Sequence, residues 1–332
     1  MPQQVRRRKE TVVQFSSNNK ISEDLGRGVI YRELYLNLSC APTLTAGNNV
    51  YANILRGDEW ACVKKVEILA NNTDVLFSMS GADLRMWNYF MFGKMPRVST
   101  VLGAGGANPA CDSTLTIPFW MPRSVKPFDT ALDASQLSSL TVDITWGTYT
   151  DIAATASAWT TEPSLDVYSL VSSGITGSFS KTNVFKIEDT ITATNPQFKV
   201  RLPVNPAYRG VLLNTTDAGV DVGTIINNLK VVSGSTVFLD YSEEILDHLK
   251  DRMNLQRSYS GTAYDDLQQG DANSIDGWYW VDFLSDGRLS ECIDTLGFSQ
   301  FELEVDVTVG AGTTKLSTIP YQLYPLRNAP KA

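Results

Sequence analysis

The feature that most constrains this chain is a set of similar segments that occurs twice, at a nearly constant spacing. Leu140-Thr-Val-Asp-Ile-Thr-Trp-Gly147 returns as Leu303-Glu-Val-Asp-Val-Thr-Val-Gly310, with Leu, Val, Asp, Thr and Gly in the same places. Upstream, Val66-Glu-Ile-Leu-Ala-Asn-Asn-Thr-Asp-Val75 matches Leu229-Lys-Val-Val-Ser-Gly-Ser-Thr-Val237, with one residue fewer in the turn. Similar segments in the same order predict two copies of one structural unit.

A helical pattern follows a serine in each copy. Ser80-Gly-Ala-Asp83 has the spacing of a capping box, which satisfies the free N–H groups at a helix start, so a helix is predicted to begin there. The second helix is predicted from Ser242 to about Leu255. Its inner face is predicted to contain Ile245, Leu249 and Met253.

The rest of each copy has the pattern of short strands. Residues 140–146 alternate apolar and polar side chains, which is typical of a strand with one buried face. Leu34–Leu38 has the same period as Phe198–Leu202, and we interpret these segments as a further match between the copies. Many short strands with long connections favour a sandwich over a parallel sheet. The predicted fold class is all-β, with two tandem jelly-roll sandwiches that each carry one flanking α-helix.

Composition gives the domain boundaries. Residues 1–20 are polar and carry no sustained period, so they are interpreted as a basic N-terminal arm or an extended segment. The N-terminal jelly roll is predicted for residues 21–175 and the C-terminal jelly roll for residues 181–332, because a stretch rich in Ser, Gly and Thr separates them. Long loops are expected at 98–110, 148–162 and 256–276.

The positive charge of the chain is concentrated near its start. Arg6, Arg7, Arg8 and Lys9 precede Glu10, in a chain whose formal net charge is −8. An anionic lipid surface attracts each nearby basic residue by about 1 kcal/mol, and nucleic-acid phosphate attracts such residues equally well. These four residues are therefore the predicted membrane- or nucleic-acid-facing site. The alternative is a solubilising tail without a partner.

The sequence offers little for catalysis. His248 is its one histidine, which argues against His-rich metal sites and against a Ser-His-Asp triad. We interpret Glu244, Asp247 and Asp251 around it as the solvated face of a helix. The 36 acidic residues leave carboxylate pairs for glycoside hydrolysis open, although no pair stands out. No catalytic, cofactor-binding or metal-binding residue is predicted, and structural calcium between subunits stays open.

Other features agree with a soluble protein. Four widely spaced cysteines form no Cys-x-x-Cys pair and are predicted to be buried free thiols, namely Cys40, Cys62, Cys111 and Cys292. No apolar run reaches the roughly 20 residues that cross a bilayer. The first residues lack the apolar stretch of a secretory signal, so we expect synthesis in a cytoplasm.

Three segments together resemble a known family. Arg32-Glu-Leu-Tyr-Leu-Asn-Leu38, Val66–Val75 and Ser80-Gly-Ala-Asp-Leu84 resemble the N-terminal jelly roll of double-jelly-roll major capsid proteins. The similar proteins are those of tailless icosahedral phages with an internal membrane, of the corticovirus and flavobacterium-infecting lipid-containing phage type. The resemblance implies a structural protein and not an enzyme. It implies a homotrimer whose six jelly rolls form a pseudo-hexagonal capsomer of an icosahedral shell over a membrane.

The same resemblance implies the partners. They are the chain itself, neighbouring capsomers, a penton or vertex protein and, through Arg6 to Lys9, the lipid headgroups of the viral membrane. No cofactor and no small-molecule substrate are implied. The expected location is the virion, after synthesis and assembly in the host cytoplasm.

Two other functions fit parts of the pattern. A two-jelly-roll glycan-binding protein or glycoprotein-directed hydrolase would be a monomer with a cleft lined by aromatic residues such as Trp120, Trp278 and Trp280. A spike or penton protein usually presents a single jelly roll, so the duplication argues against it. A hexagonal tile made of three identical chains, by contrast, requires two similar domains in each chain.

Overall fold

The computed structural model describes residues 4–44, 58–93, 96, 110–125, 130–152, 156–173, 181–252, 277–284 and 286–324 of the 332. These residues fall into two compact units, one that ends at Ser173 and one that begins at Lys181. Each unit consists of antiparallel strands and one α-helix, as described in turn below.

The N-terminal unit contains two sheets. Its elements are β1 (Gln4–Gln14), β2 (Lys20–Asp24), β3 (Ile30–Leu44), β4 (Val63–Ala70), β5 (Asp74–Met79), α1 (Gly81–Phe92), β6 (Cys111–Pro118), β7 (Leu132–Asp133), β8 (Leu140–Trp146) and β9 (Ala156–Ser173). One sheet has the order β1-β9-β3-β6, with β7 beside β3, and the other has the order β5-β4-β8-β2. Short 3-10 helices lie at Asp58–Cys62, Ala134–Gln136 and Tyr149–Asp151.

The C-terminal unit also contains two sheets. Its elements are β10 (Lys181–Phe185), β11 (Ile187–Ile191), β12 (Asn195–Leu202), β13 (Ala207–Asp217), β14 (Val220–Asp221), β15 (Ile226–Ser233), β16 (Thr236–Ser242), α2 (Glu243–Arg252), β17 (Trp278–Asp282), β18 (Ile293–Asp294), β19 (Phe301–Val307) and β20 (Thr314–Tyr324). In one sheet β20 pairs with β10, β11 and β13, and β13 also pairs with β14, β17 and β18. The other sheet has the order β12-β19-β15-β16. A 3-10 helix lies at Leu289–Glu291.

The second unit repeats the topology of the first. The order β1-β9-β3-β6 corresponds to β10/β11-β20-β13-β17, and the order β2-β8-β4-β5 corresponds to β12-β19-β15-β16. Each helix follows the corresponding strand, α1 after β5 and α2 after β16. With β10 and β11 counted as one strand and the two-residue strands left out, the chain alternates between the two sheets except at the hairpins β4-β5 and β15-β16. This is the jelly-roll arrangement. The predicted all-β fold with two tandem jelly rolls and one flanking helix in each is confirmed.

The hydrophobic core of each unit lies between its two sheets. In β8, Val142 and Ile144 are buried, whereas Thr141 and Thr145 lie on the outer face and are only partly covered. In the C-terminal unit, Val305 belongs to the corresponding cluster of buried side chains. The predicted alternation of residues 140–146 is therefore confirmed, because one face of this strand packs inside the sandwich.

The match that first indicates the duplication is displaced by two residues in the structure. Ile68 lies opposite Val142 in the N-terminal unit, and its counterpart Val231 lies opposite Leu303. Val142 therefore corresponds to Leu303, and the predicted match of Leu140 with Leu303 is wrong by two positions. A shift of two residues keeps every side chain on its own face of the strand, so the alternation survives the error.

The second predicted match is wrong in its strand. Phe198–Leu202 lies in β12, which corresponds to β2, whereas Leu34–Leu38 lies in β3. The counterpart of β3 is β13, where Tyr208-Arg-Gly-Val-Leu-Leu-Asn214 corresponds to Tyr31-Arg-Glu-Leu-Tyr-Leu-Asn37. Both strands have a shift in pairing register at the arginine, which supports this correspondence.

Residues 4–14 form an extended strand and not a free arm, so the structure supports the extended segment of the two interpretations. Residues 4–14 form β1, which pairs antiparallel with β9, and Val13 is fully buried. Residues 20–24 form β2, which pairs with β8. Both strands lie at the end of a sheet, where polar and charged side chains are common. Their sequences therefore lack the apolar alternation from which a strand is predicted.

The structure also tests the predicted helices and one of the predicted long loops. Ser80 caps α1, since its Oγ accepts a hydrogen bond of 3.1 Å from the backbone N–H of Asp83. Among residues 243–249 of α2, Leu246 is buried and Leu249 is half-buried, whereas Ile245 is exposed, so the predicted inner face is wrong at Ile245. The loop expected at 148–162 is shorter because β9 already begins at Ala156. Met253, residues 98–109 and residues 256–276 lie outside the described residues.

Candidate functional site

The predicted interaction site lies on β1, the edge strand of the first sheet. Arg6, Arg7 and Lys9 are exposed, whereas Arg8 is half-buried. Successive side chains of a strand point to opposite faces, so these four residues do not form one cluster. The structure places the positive charge along a sheet edge and not on a separate arm.

Arg8 and Lys9 each have an acidic partner within the same unit. Arg8 donates from Nε to Glu10 Oε1 at 2.5 Å and from a terminal nitrogen to the Tyr31 hydroxyl at 3.1 Å. Lys9 Nζ donates to Asp166 Oδ1 at 2.8 Å, and this hydrogen bond raises the pKa of Lys9. These carboxylates reduce the net charge that β1 presents to a partner.

Arg8 also completes a tyrosine corner at the start of β3. The Tyr31 hydroxyl donates to the Gly26 carbonyl at 2.6 Å, five residues upstream, and it accepts from Arg8. Burial, together with the charge of Glu10, raises the pKa of Tyr31 to about 12. The hydroxyl therefore stays protonated at neutral pH and remains a hydrogen-bond donor.

The C-terminal unit contains the same corner at the start of β13. The Tyr208 hydroxyl donates to the Pro203 carbonyl at 2.5 Å, again five residues upstream. It accepts a hydrogen bond of 2.8 Å from the buried Gln322 amide, which takes the place of Arg8. Burial raises the pKa of Tyr208 as well. The corner is thus a part of the duplicated unit, although the sequence matches did not include it.

The arginine after each corner tyrosine lies where the strand register shifts. Arg32 Nε donates to Ser172 Oγ at 2.5 Å. Arg209 is fully buried, with its guanidinium carbon 5.6 Å from the ring centre of Trp280 and 5.2 Å from that of Tyr321. Both distances are within the range of cation–π attraction. Both arginines therefore make their contacts within their own unit.

Carboxylates on the outer face of the β5-β4-β8-β2 sheet are paired with lysines. Lys20 Nζ lies 2.8 Å from Asp143 Oδ2 and 3.1 Å from Glu67 Oε2, and Lys65 Nζ lies 2.7 Å from Glu67 Oε1. Burial alone would raise the pKa of Glu67, but the hydrogen bonds from Lys65 and Lys20 hold it below its usual value. A glycosidase acid needs a raised pKa. Glu67 is therefore unsuited to act as the acid of a glycoside hydrolase.

The C-terminal unit has a corresponding set of ion pairs. Lys199 Nζ lies 2.7 Å from Glu304 Oε1 and 3.4 Å from Glu302 Oε2. By strand pairing, Glu304 occupies the place of Asp143. Opposite charges on neighbouring strands stabilise a sheet modestly, so these acidic residues also have a structural role.

The aromatic residues expected in a sugar-binding cleft are largely enclosed. Trp278 and Trp280 are both buried, and Trp278 Nε1 donates to Asp221 Oδ2 at 2.8 Å. Trp120 is half-buried, and its Nε1 donates to the Glu33 carboxylate. Trp278 and Trp280 are therefore not available as an open surface for stacking against a sugar.

All four cysteines are free thiols. Cys40, Cys62 and Cys111 are buried free thiols, Cys292 is a half-buried free thiol, and His248 is exposed on α2. Across the described ranges, no three His, Cys, Asp or Glu residues are placed to hold a metal ion. In that same part of the chain, no helix is long and apolar enough to cross a bilayer.

The tyrosine corner gives a first prediction. We expect Tyr208→Phe to lower the free energy of unfolding by about 1–3 kcal/mol, because the Gln322 amide and the Pro203 carbonyl lose a partner. Tyr324→Phe is the matched control, since its hydroxyl only makes a long hydrogen bond of 3.4 Å to Gln322. Urea unfolding compares the two variants, and equal losses would contradict a special role for the corner.

Comparison with known proteins identifies the fold. Neither a protein-family model nor a curated protein matches this sequence. The major capsid protein P2 from bacteriophage PM2 aligns over 98% of this chain and 99% of that chain, with a TM-score of 0.63 and 13% identity. The major capsid protein of Sulfolobus turreted icosahedral virus aligns over 97% of each chain, with a TM-score of 0.72 and 10% identity. The PBCV-1 virus capsid structure aligns over 97% of this chain and 95% of that chain, with a TM-score of 0.60 and 10% identity. At such identities the likeness concerns the fold, and this chain has the double-jelly-roll fold of viral major capsid proteins.

Proposed function

We propose that this chain is the major capsid protein of an icosahedral virus. The observation that carries the proposal is the strand-by-strand repetition of the first unit by the second. The same two-unit fold extends over at least 97% of this chain in the capsid proteins of PM2 and Sulfolobus turreted icosahedral virus. A protein with one jelly roll would align with only one of the two units.

The duplication gives a physical reason for a homotrimer. Identical chains in a closed ring obey rotational symmetry, so three chains with two similar units each present six similar units. Six units fit a hexagonal tile, and the tile is pseudo-hexagonal because the two units share a topology and differ in their side chains. Such capsomers, with neighbouring capsomers and a vertex protein, form the proposed icosahedral shell of the virion.

The proposal extends to a membrane beneath this shell. Arg6 and Arg7 are exposed on β1, and an anionic lipid surface attracts each basic residue near it by about 1 kcal/mol. A single chain would therefore bind lipid weakly. Many chains on one particle would bind it firmly, because linked weak contacts add up through multivalency.

The mass in solution tests the proposed assembly. One chain has a mass of 36.6 kDa, so we expect light scattering after size exclusion to give about 110 kDa for the trimer. Electron micrographs of the same sample should show hexagonal particles. A monomer that binds oligosaccharides would contradict the capsid proposal and support the glycan-binding or hydrolase alternative.

A further inference from the structure

Corresponding edge strands of the two units differ in exposure. β1 and β10 are counterparts, since both pair with the last strand of their unit. In β10, Thr182 and Val184 are buried. In β1, Arg6 and Arg7 are exposed and Val5 is 50% exposed. This first edge is therefore covered in the C-terminal unit and open in the N-terminal unit.

A second pair of corresponding edge strands, β5 of the N-terminal unit and β16 of the C-terminal unit, differs in the opposite direction. Leu76 and Phe238 are counterparts, because each is the extra residue at the same β-bulge of its unit. Leu76 is 2% exposed, whereas Phe238 is 36% exposed. Next to Phe238, Val237 is 54% exposed. This second edge is therefore covered in the N-terminal unit and open in the C-terminal unit.

The open edge of the C-terminal unit carries an apolar patch, which consists of Val237, Phe238, Leu296 and Phe298. The ring of Phe238 stacks on that of Phe298, with centroids 5.8 Å apart. Leu296 is 66% exposed. β16 lies at the end of its sheet and contains no lysine or proline of the kind that protects an edge from pairing. Such an edge is suited to pair with another strand.

Charge distinguishes the possible occupants of this patch. Residues 1–180 contain 15 basic and 16 acidic residues, whereas residues 181–332 contain 13 basic and 20 acidic residues. The open edge of β1 carries Arg6 and Arg7, while β16 carries the exposed Asp240 and the first turn of α2 carries the exposed Glu244. Asp240 Oδ2 lies 3.3 Å from Lys230 Nζ, so Asp240 is partly neutralised within its own sheet. Two β16 edges would bring like charges together, whereas β1 against β16 would bring opposite charges together.

We infer that the β1 edge of one chain docks against the β16 edge of a second copy and covers the apolar patch. The inference rests on the proposed capsid assembly and names the surfaces that join its chains. It assigns the β1 edge to a second copy in place of the lipid contact described above. The two surfaces differ, so the contact is head-to-tail, and a head-to-tail contact closes into a ring when the rotation between chains permits it. The open β1 edge of each N-terminal unit would then be covered by the open β16 edge of a C-terminal unit from a second copy.

Photo-crosslinking tests which segment covers the patch. We expect a photoreactive phenylalanine analogue in place of Phe238 to yield linked dimers and trimers, with mass spectrometry locating the link within residues 4–14 of a second chain. The same analogue in place of Val220, which is 65% exposed on β14, should not link to that segment. A trimeric sample in which position 238 links elsewhere, or to nothing, would overturn the inference and leave the proposed function intact.

Charge exchange tests the contact independently. Arg7→Glu and Asp240→Arg are each expected to raise the dissociation constant of the trimer at least tenfold, and the double variant should regain much of the loss. The second measurement is the binding of the same variants to vesicles that contain phosphatidylserine. Loss of vesicle binding by Arg7→Glu with an unchanged trimer would assign this edge to lipid and overturn the inference. A wild-type chain that stays monomeric would contradict the inference and the proposed function together.

Discussion

Val142→Asp and Val305→Asp should each abolish soluble protein, because each places a carboxylate inside a jelly roll. Both valines are fully buried, one in each unit, with apolar side chains around them. Burying an unpaired polar or charged group costs several kcal/mol. A domain has only about 5–15 kcal/mol of stability in total. We therefore expect the altered unit to unfold, and the trimer to be lost with it.

Thr141→Asp is the matched control for Val142→Asp. Thr141 is the neighbouring residue of β8 and lies on the outer face of the sheet, where a carboxylate stays in contact with water. We expect a soluble yield and a melting temperature close to those of the unaltered chain. If both core variants were as soluble as Thr141→Asp, the assignment of strand faces in the two sandwiches would be wrong.

Deletion of residues 2–9 should destabilise the N-terminal unit by several kcal/mol. The deletion removes the part of β1 from Gln4 to Lys9, which pairs with Tyr168 to Ser173 of β9. It also removes Arg8, the hydrogen-bond donor to Glu10 and to the corner hydroxyl of Tyr31. Each partly buried polar group that loses its hydrogen-bond partner lowers the free energy of unfolding by about 1–3 kcal/mol. A free tail in this position could be removed without a measurable effect.

A double variant, Arg6→Gln with Arg7→Gln, separates charge from backbone pairing. It removes two charges and keeps the strand, so we expect its thermal unfolding to resemble that of the unaltered chain when both proteins are diluted to monomers. The deletion variant should unfold at a clearly lower temperature in the same buffer. Equal melting temperatures for the deletion variant and the unaltered chain would contradict the role of β1 in the sandwich.

The strands that could be predicted from the sequence are those with one clearly apolar face. Residues 140–146 form β8 with the expected bounds, because four large apolar side chains alternate with polar ones. The helix start at Ser80 could be predicted because a capping box depends on local hydrogen bonds alone. The order of elements in the two copies followed from these anchors and led to the correct fold class.

The edge strands could not be predicted in the same way. In β1 only Val13 is fully buried, and four consecutive basic residues interrupt any alternation. The displaced match of Leu140 with Leu303 has another cause. Side chains of a strand alternate with a period of two, so a shift of two residues leaves the apolar and polar pattern unchanged. The shift becomes visible only in the pairing of Ile68 with Val142.

The basic residues of the candidate site could be predicted from the sequence, but their contacts could not. The sequence indicated Arg6 to Lys9 as the concentration of positive charge, yet it gave no sign that Arg8 contacts Glu10 and Tyr31. A signal for the corner did exist in the repeated Tyr-Arg at residues 31–32 and 208–209. A pair of residues is too short to distinguish from chance until the strands that contain it are known to correspond.

The duplicated tyrosine corner has a consequence for alkaline conditions. An ordinary tyrosine loses its proton near pH 10, whereas the pKa of Tyr31 in the folded chain is raised to about 12 and that of Tyr208 is raised as well. Between these values the unfolded chain binds fewer protons than the folded one, so stability falls as the pH rises through this interval. Each half of the molecule therefore loses stability in alkaline solution through the tyrosine at its own corner.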